Sequence, residues 1–342
     1  LFTNPRVGGS RRCSAPITMQ RITTIFISTW GAVRSADRDS TRLHALPDPL
    51  SHREMSDTRV PSRVFRPAQQ EAETARQQGH TPQTEHPAYK LAFQDMDFLL
   101  REDLRPVRFQ LELLKPQLIM DEANIGSTLV MYGSARIPEP DKAQALLDLA
   151  QDDRAKRIAE RLIEKSKYYQ VARELGQIAG KFPRDESGKR HFVVCSGGGP
   201  SIMEAANRGA QDAGKESIGL NIVLPHEQAP NDYVTPSLSF RFHYFALRKM
   251  HFLLRARAVA AFPGGFGTFD EFFELLTLVQ TGKVEKMPIL LYGRDFWTRV
   301  INFDELLLEG TISPADLDLF KIVETAEEGW QMICDFYELE TN

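Results

Sequence analysis

Residues 257–271 read Arg-Ala-Val-Ala-Ala-Phe-Pro-Gly-Gly-Phe-Gly-Thr-Phe-Asp-Glu. The run 257–262 lacks polar alternation, the pattern of a strand buried on both faces. Pro263, Gly264, Gly265 and Gly267 then break the run, and Phe269, Phe272, Phe273, Leu276 and Val279 recur on one face of a helix. A strand, a glycine turn and a helix in this order form the repeating unit of a parallel α/β sheet.

Similar apolar runs lie at 128–132 (TLVMY), 191–195 (HFVVC), 217–224 (SIGLNIVL) and 288–292 (PILLY), each followed by turn residues or a helical pattern. The charged stretch 141–181 between the first two predicts two helices. Together these segments predict one α/β domain over residues 127–342: a Rossmann-like, doubly wound parallel sheet with helices on both faces. Ahead of it, residues 91–126 predict a helical segment that packs on the core. There Leu104, Val107, Leu111, Leu114 and Leu118 form one apolar stripe, and Pro106 sits near the first turn.

Residues 1–90 read differently. The first 89 residues hold 12 arginines and no lysine, are rich in Ser, Thr, Pro and Gln, and show no sustained period. Such a segment buries too little apolar surface to offset its chain entropy, so a disordered leader is expected. Its Arg- and Ser-rich beginning admits two further readings, a targeting segment or a mis-assigned start with Met55 as the true one.

The remaining composition sets limits. A net charge of −4 gives no basic footprint for nucleic acid. Cys13, Cys195 and Cys334 are too few and scattered for a disulfide framework or a four-ligand zinc site, which suggests a reducing, cytoplasmic setting. No apolar run approaches the roughly 20 residues of a membrane span.

Three small-residue turns follow predicted strands: Tyr132-Gly133-Ser134-Ala135-Arg136, Ser196-Gly197-Gly198-Gly199-Pro200 and Pro263-Gly264-Gly265-Phe266-Gly267-Thr268. In an open parallel sheet, ligands sit off the carboxyl ends of the strands. Glycine lets the backbone approach an anion, and a helix N-terminus offers amides and a positive dipole end. A triphosphate loop is excluded by the missing Gly-Lys-Ser/Thr ending. A dinucleotide fingerprint is excluded because Ile202 stands at its third glycine and no acid lies near Gly219-Leu220-Asn221. A monophosphate remains.

Around these turns, Arg248 is either a solvated helix arginine or an anion ligand. Glu271 is either the closing residue of a capping box, Thr268-Phe269-Asp270-Glu271, or a carboxylate facing the ligand. His243 reads as a packed side chain, and no cluster has metal-ligand spacing.

Pro263–Glu271 resembles the PGGxGTxxE signature of the LOG ("Lonely Guy") family, nucleoside 5′-monophosphate phosphoribohydrolases often labelled possible lysine decarboxylases. Gly133–Arg136, Gly197–Ala206 and Arg248-Lys249 occur in the family's order, so the resemblance covers roughly residues 98–342. It implies a cofactor-free, metal-free hydrolase of N-glycosyl compounds, working as a homodimer with the active site near the dimer interface. Arg248 and Glu271 would be the catalytic pair. Gly133, Ser134, Gly198, Gly199, Met203, Glu204, Lys249, Gly264, Gly265, Gly267 and Thr268 would bind the substrate and its phosphate. That substrate would be a cytokinin riboside monophosphate or an AMP-like nucleotide. The decarboxylase label would need a pyridoxal-phosphate lysine, which no motif marks. Three positions depart from relatives: Ser201 replaces a common glycine, Asp270 replaces a glutamate, and Phe245-Ala246-Leu247 precede the Arg-Lys pair. The alternative function is a non-catalytic nucleotide or molybdenum-cofactor carrier of the same fold, which would need the glycine turns but neither Arg248 nor Glu271.

Overall fold

The computed structural model describes residues 65–225 and 229–340. The expectations for residues 1–64 lie outside the described residues. By its contacts the chain divides into two units, Leu1–Glu73 and Thr74–Asn342. The described part of the first, residues 65–73, opens helix α1 (Ala68–Ala75). The second begins with short helices, α2 (Pro82–Glu85) and α3 (Met96–Leu99), before the long α4 (Arg105–Glu122). Regular structure thus starts earlier than the composition suggests. The turns are locally specified: Thr81 and Thr84 close a capping box on α2, and Asp95 accepts the Phe98 amide at the start of α3.

The body is a seven-stranded sheet, every pairing parallel, in the order β4-β3-β2-β1-β5-β6-β7. Its strands are β1 (Thr128–Tyr132), β2 (Val193–Ser196), β3 (Ile218–Ile222), β4 (Ser239–Phe242), β5 (Ala256–Ala261), β6 (Ile289–Tyr292) and β7 (Lys321–Val323). The connecting helices are α5 (Pro140–Asp148), α6 (Asp153–Gly180), α7 (Ile202–Asp212), α8 (Phe245–Leu254), α9 (Phe266–Gln280), α10 (Arg294–Val300), α11 (Phe303–Leu308) and the final α12 (Ala326–Tyr337). The doubly wound α/β class read from the sequence is what the chain adopts, with 141–181 forming the two helices expected.

Because strand side chains alternate, each central strand feeds two cores. Val130, Tyr132, Val259 and Ala261 pack with Met120 of α4, Phe252 of α8, Phe272 and Leu275 of α9, and Trp297 of α10. Leu129, Met131, Ala258 and Ala260 pack with Tyr169 and Leu175 of α6, Ile202 and Ala205 of α7, and Ile333 of α12. Burial on both faces is why these strands read as unbroken apolar runs.

The helix α4 differs from its expected orientation. The regular stripe Leu111, Leu114 and Leu118 faces outward and is exposed, while Pro116 and Met120 are buried. Met120, with Ile119 before it and Ala123 and Ile125 beyond it, joins the α8–α9 core. Instead of this stripe, α4 turns Phe109 and Glu112 toward α8, where they meet His243, Tyr244 and His251.

Candidate active site

The carboxyl ends of β1, β2 and β5 carry the three glycine turns, and backbone bonds tie them together. The Ser134 amide donates to the Pro263 carbonyl (3.1 Å), and the Ser134 carbonyl accepts from the Ile202 amide at the start of α7 (3.3 Å). One residue thereby links the first turn to both others.

The triple-glycine turn is supported from beneath by a buried polar network. The Gly198 amide donates to Ser196 Oγ (3.0 Å), which itself donates to Asn207 Oδ1 (2.8 Å). Asn231 Nδ2 donates to the Gly199 carbonyl (2.9 Å) and to Asn207 Oδ1 (3.0 Å), and Asn207 Nδ2 donates to Ser217 Oγ (3.0 Å). Buried polar groups paired this fully hold one geometry. Gly198 has φ +71°, and a Cβ there would run into the Asn221 side chain, so no other residue suits the position. Asn221 Oδ1 itself is buried without a partner.

Ser201 follows the same turn with φ +68° and ψ −122°, a region that costs a non-glycine residue on the order of 1–3 kcal/mol. Its hydroxyl is engaged by the Ile137 carbonyl. The departure from glycine noted in the sequence thus falls where the backbone conformation favours glycine.

Arg248 is neither solvated nor free. Its Nε donates to the Leu220 carbonyl of β3 (2.6 Å), its guanidinium lies 4.9 Å from the Phe252 ring centroid, and its Nη1 reaches Glu271 Oε1 at 3.3 Å. The two side chains are only 12% and 13% exposed. A Cβ at Gly197 would lie 2.5 Å from Arg248 Nη2 and 2.8 Å from Met203 Sδ, so the second turn and Met203 crowd this pair directly.

Burial pushes the Glu271 carboxyl up to about 7; Arg248 opposes the shift, while Asp270 and Glu274 add to it. The capping-box reading of Glu271 is corrected by the structure. Helix α9 starts at Phe266, two residues before Thr268, and carries no side-chain N-cap. Thr268 is buried inside the first turn, where its hydroxyl crowds Gly264. Glu271 therefore stands past the helix entrance, facing Arg248. Around Gly265 and Gly267 the space is open, since a Cβ at either meets nothing within 4 Å.

Other expected residues have protein partners of their own. Lys249 clamps α8 to α9, its ammonium bonding Asp270 (3.0 Å) and Glu274 (2.8 Å). Glu204 accepts a hydrogen bond from Tyr169 of α6 (2.8 Å), so its carboxylate is engaged at the α6–α7 seam. His243 is exposed, edge-on to Tyr244, and not packed as expected. Among the described residues the buried histidine is His251, which bonds the Glu112 carbonyl at 3.2 Å. Sequence reasoning passed over Asn207, Asn221, Asn231 and Glu112, single polar residues that no local pattern marks. Among the described residues, no three His, Cys, Asp or Glu side chains are grouped to hold a metal ion. No helix among them is long and apolar enough to cross a membrane.

Fold and site together define a doubly wound α/β protein with a buried arginine–carboxylate pair beneath three linked glycine turns at the carboxyl edge of the sheet. A family described as "possible lysine decarboxylase" matches residues 203–333. The chain is 27% identical to cytokinin riboside 5′-monophosphate phosphoribohydrolase LOG3 of Arabidopsis thaliana over 169 residues, 48% of this chain and 74% of that protein. With the LOG2 protein of the same plant it shares 29% over 124 residues, 35% of this chain and 57% of the relative. With the solved molybdenum cofactor carrier protein of Chlamydomonas reinhardtii it shares 19% identity, covering 50% of this chain and 89% of that one, at a TM-score of 0.34.

Proposed function

We propose that the protein hydrolyses the N-glycosidic bond of a nucleoside 5′-monophosphate, releasing free base and ribose 5-phosphate. The observation that carries this reading is the Arg248–Glu271 pair, 3.3 Å apart and almost wholly removed from water. A carrier would need the glycine turns but would have no use for a buried carboxyl group poised near neutrality beside an arginine. The curated relatives named as phosphoribohydrolases support the same class of reaction.

In this reading the 5′-phosphate sits at the uncapped N-terminus of α9, where Gly265 and Gly267 leave the approach open and the helix dipole favours an anion. Binding there fixes the anomeric carbon relative to Glu271. Bond breaking develops positive charge on the ribose, which ionised Glu271 stabilises while accepting a proton from the attacking water. The base leaves with the electron pair of the C1′–N bond and takes up a proton, and Arg248 stabilises the charge developing on it. The sum is addition of one water. Met203 and the Gly197–Gly199 turn bound the site on the β2 side. The homodimer implied by the resemblance, its active site near the interface, and a cytoplasmic setting belong to the same proposal.

The test is a product assay with AMP, other nucleoside monophosphates and N6-isopentenyladenosine monophosphate. Free base and ribose 5-phosphate should appear and fall by at least about a hundredfold in Arg248→Ala and Glu271→Ala. Tight monophosphate binding without release would replace the hydrolase with the carrier.

A further inference from the structure

We propose that Glu112 of α4 is a positioning residue for the Arg248 helix, so that the active site extends into a segment outside the matched stretch 203–333. The inference rests on the hydrolase reading for its activity readout, though the contacts themselves do not.

Helix α8 lacks a cap of its own, since Tyr244 makes no side-chain bond to its first turn. The carboxylate of Glu112 stands in from another element. Its Oε1 accepts the His243 amide at 2.8 Å and its Oε2 the Tyr244 amide at 3.2 Å. A carboxylate on these amides satisfies donors at the helix entrance and opposes the positive end of the helix dipole. Phe109, one turn earlier on α4, sets its ring edge-on to Tyr244 with centroids 4.2 Å apart.

The same helix grips α8 twice more. The Glu112 carbonyl accepts from His251 Nε2 at 3.2 Å, in the last turn. At the C-cap, Arg255 bonds the Ile125 carbonyl, the Gln117 carbonyl (3.2 Å) and Asp121 (2.6 Å). Both ends of α8 are therefore referenced to α4. Arg248 lies one turn inside the Glu112 end, and its amide bonds the Tyr244 carbonyl at 3.1 Å. Any slack at residues 243–244 is transmitted to the guanidinium, whose 3.3 Å approach to Glu271 has little tolerance.

The experiment compares full-length wild type, Glu112→Ala and Glu112→Gln, with Glu122→Ala on the exposed side of α4 as a control. Turnover of the best monophosphate is measured together with hydrogen exchange of the peptide covering residues 243–248. In Glu112→Ala, kcat should fall about tenfold with KM within about twofold, because Arg248 acts on the departing base and not on ground-state binding. Exchange in residues 243–248 should rise. Glu112→Gln, which keeps one acceptor, should fall between the two, and Glu122→Ala should match wild type. Wild-type kcat and wild-type exchange in Glu112→Ala would overturn the proposal, as would an equal rise in KM with no change in kcat. If Glu112→Ala does not fold, Glu112→Gln decides: lowered kcat supports the role and unchanged kcat overturns it. If the wild type cleaves no monophosphate, the hydrolase reading fails by itself. The latch is then judged by hydrogen exchange alone, where unchanged protection overturns it.

Discussion

Glu271 is subject to two opposing influences. It is nearly buried, and it sits beside a permanent cation. Burial outweighs the cation, so its carboxyl group titrates at about 7 in place of the ordinary 4.5. The proposed role needs the ionised form, which fixes the sign of the pH dependence: kcat/KM should climb as pH rises through about 7 and level off above it. A pH–rate profile on the preferred monophosphate measures this, and a flat profile from about pH 6 to about pH 8.5 would remove Glu271 as the titrating group. At this scale the sequence was legible where spacing is rigid. Arg248 and Glu271 stand out only through the resemblance to a family motif of fixed order and spacing, since taken singly each also reads as an ordinary helix residue. Lys249 was less so, because nothing in the sequence shows that Asp270 and Glu274 rise from α9 to take its ammonium. The capping-box reading failed for a related reason. Whether Thr268 is a cap or a first-turn residue depends on where the loop lets the helix begin, and with Gly265 as the cap it begins three residues early.

Helix α9 shows how glycines of one motif divide their work. A Cβ at Gly264 would collide with the Thr268 side chain, so this glycine serves packing of the loop against its own helix. Gly265 and Gly267 meet nothing, so packing does not explain them, whereas the phosphate site proposed at the helix N-terminus would. Gly267→Ala is accordingly expected to hold or raise stability, by up to about 1 kcal/mol for a glycine replaced within a helix, while raising KM for the monophosphate. Gly264→Ala should instead lower the melting temperature. Thermal unfolding paired with KM for each variant separates the two, and Gly267→Ala with wild-type KM would mean the phosphate lies elsewhere. Among elements, the five central strands were legible as apolar runs because they are covered on both faces. The edge strands were not: β4 has four residues, Ser-Phe-Arg-Phe, with alternating burial, and β7 only three. Short, half-covered strands carry too little pattern to distinguish them from loop. The outward stripe of α4 misleads in the opposite sense, since apolar periodicity reports a face to be covered without saying by what.

Across the whole molecule, the site draws stability away from the fold. A group whose folded pKa lies above its unfolded value favours the native state only while protonated. For Glu271 that contribution is complete below about pH 4.5 and is lost as pH rises to about 7. By pH 8 the ionised carboxylate costs the native state on the order of 3 kcal/mol relative to a neutral group in the same place, an upper figure because native-state relaxation reduces it. Glutamine has nearly the same shape and never ionises. Glu271→Gln should therefore unfold at nearly the wild-type urea midpoint near pH 5 and at a clearly higher one near pH 8, while losing turnover at both. Taking the difference between variants cancels the contributions of other groups that titrate in this range. Equal midpoints at both pH values would mean that water reaches Glu271 freely and that its burial does not govern its charge. A gain confined to the higher pH would show the native protein holding a carboxylate in an unfavourable place, which a sequence selected for stability alone would discard.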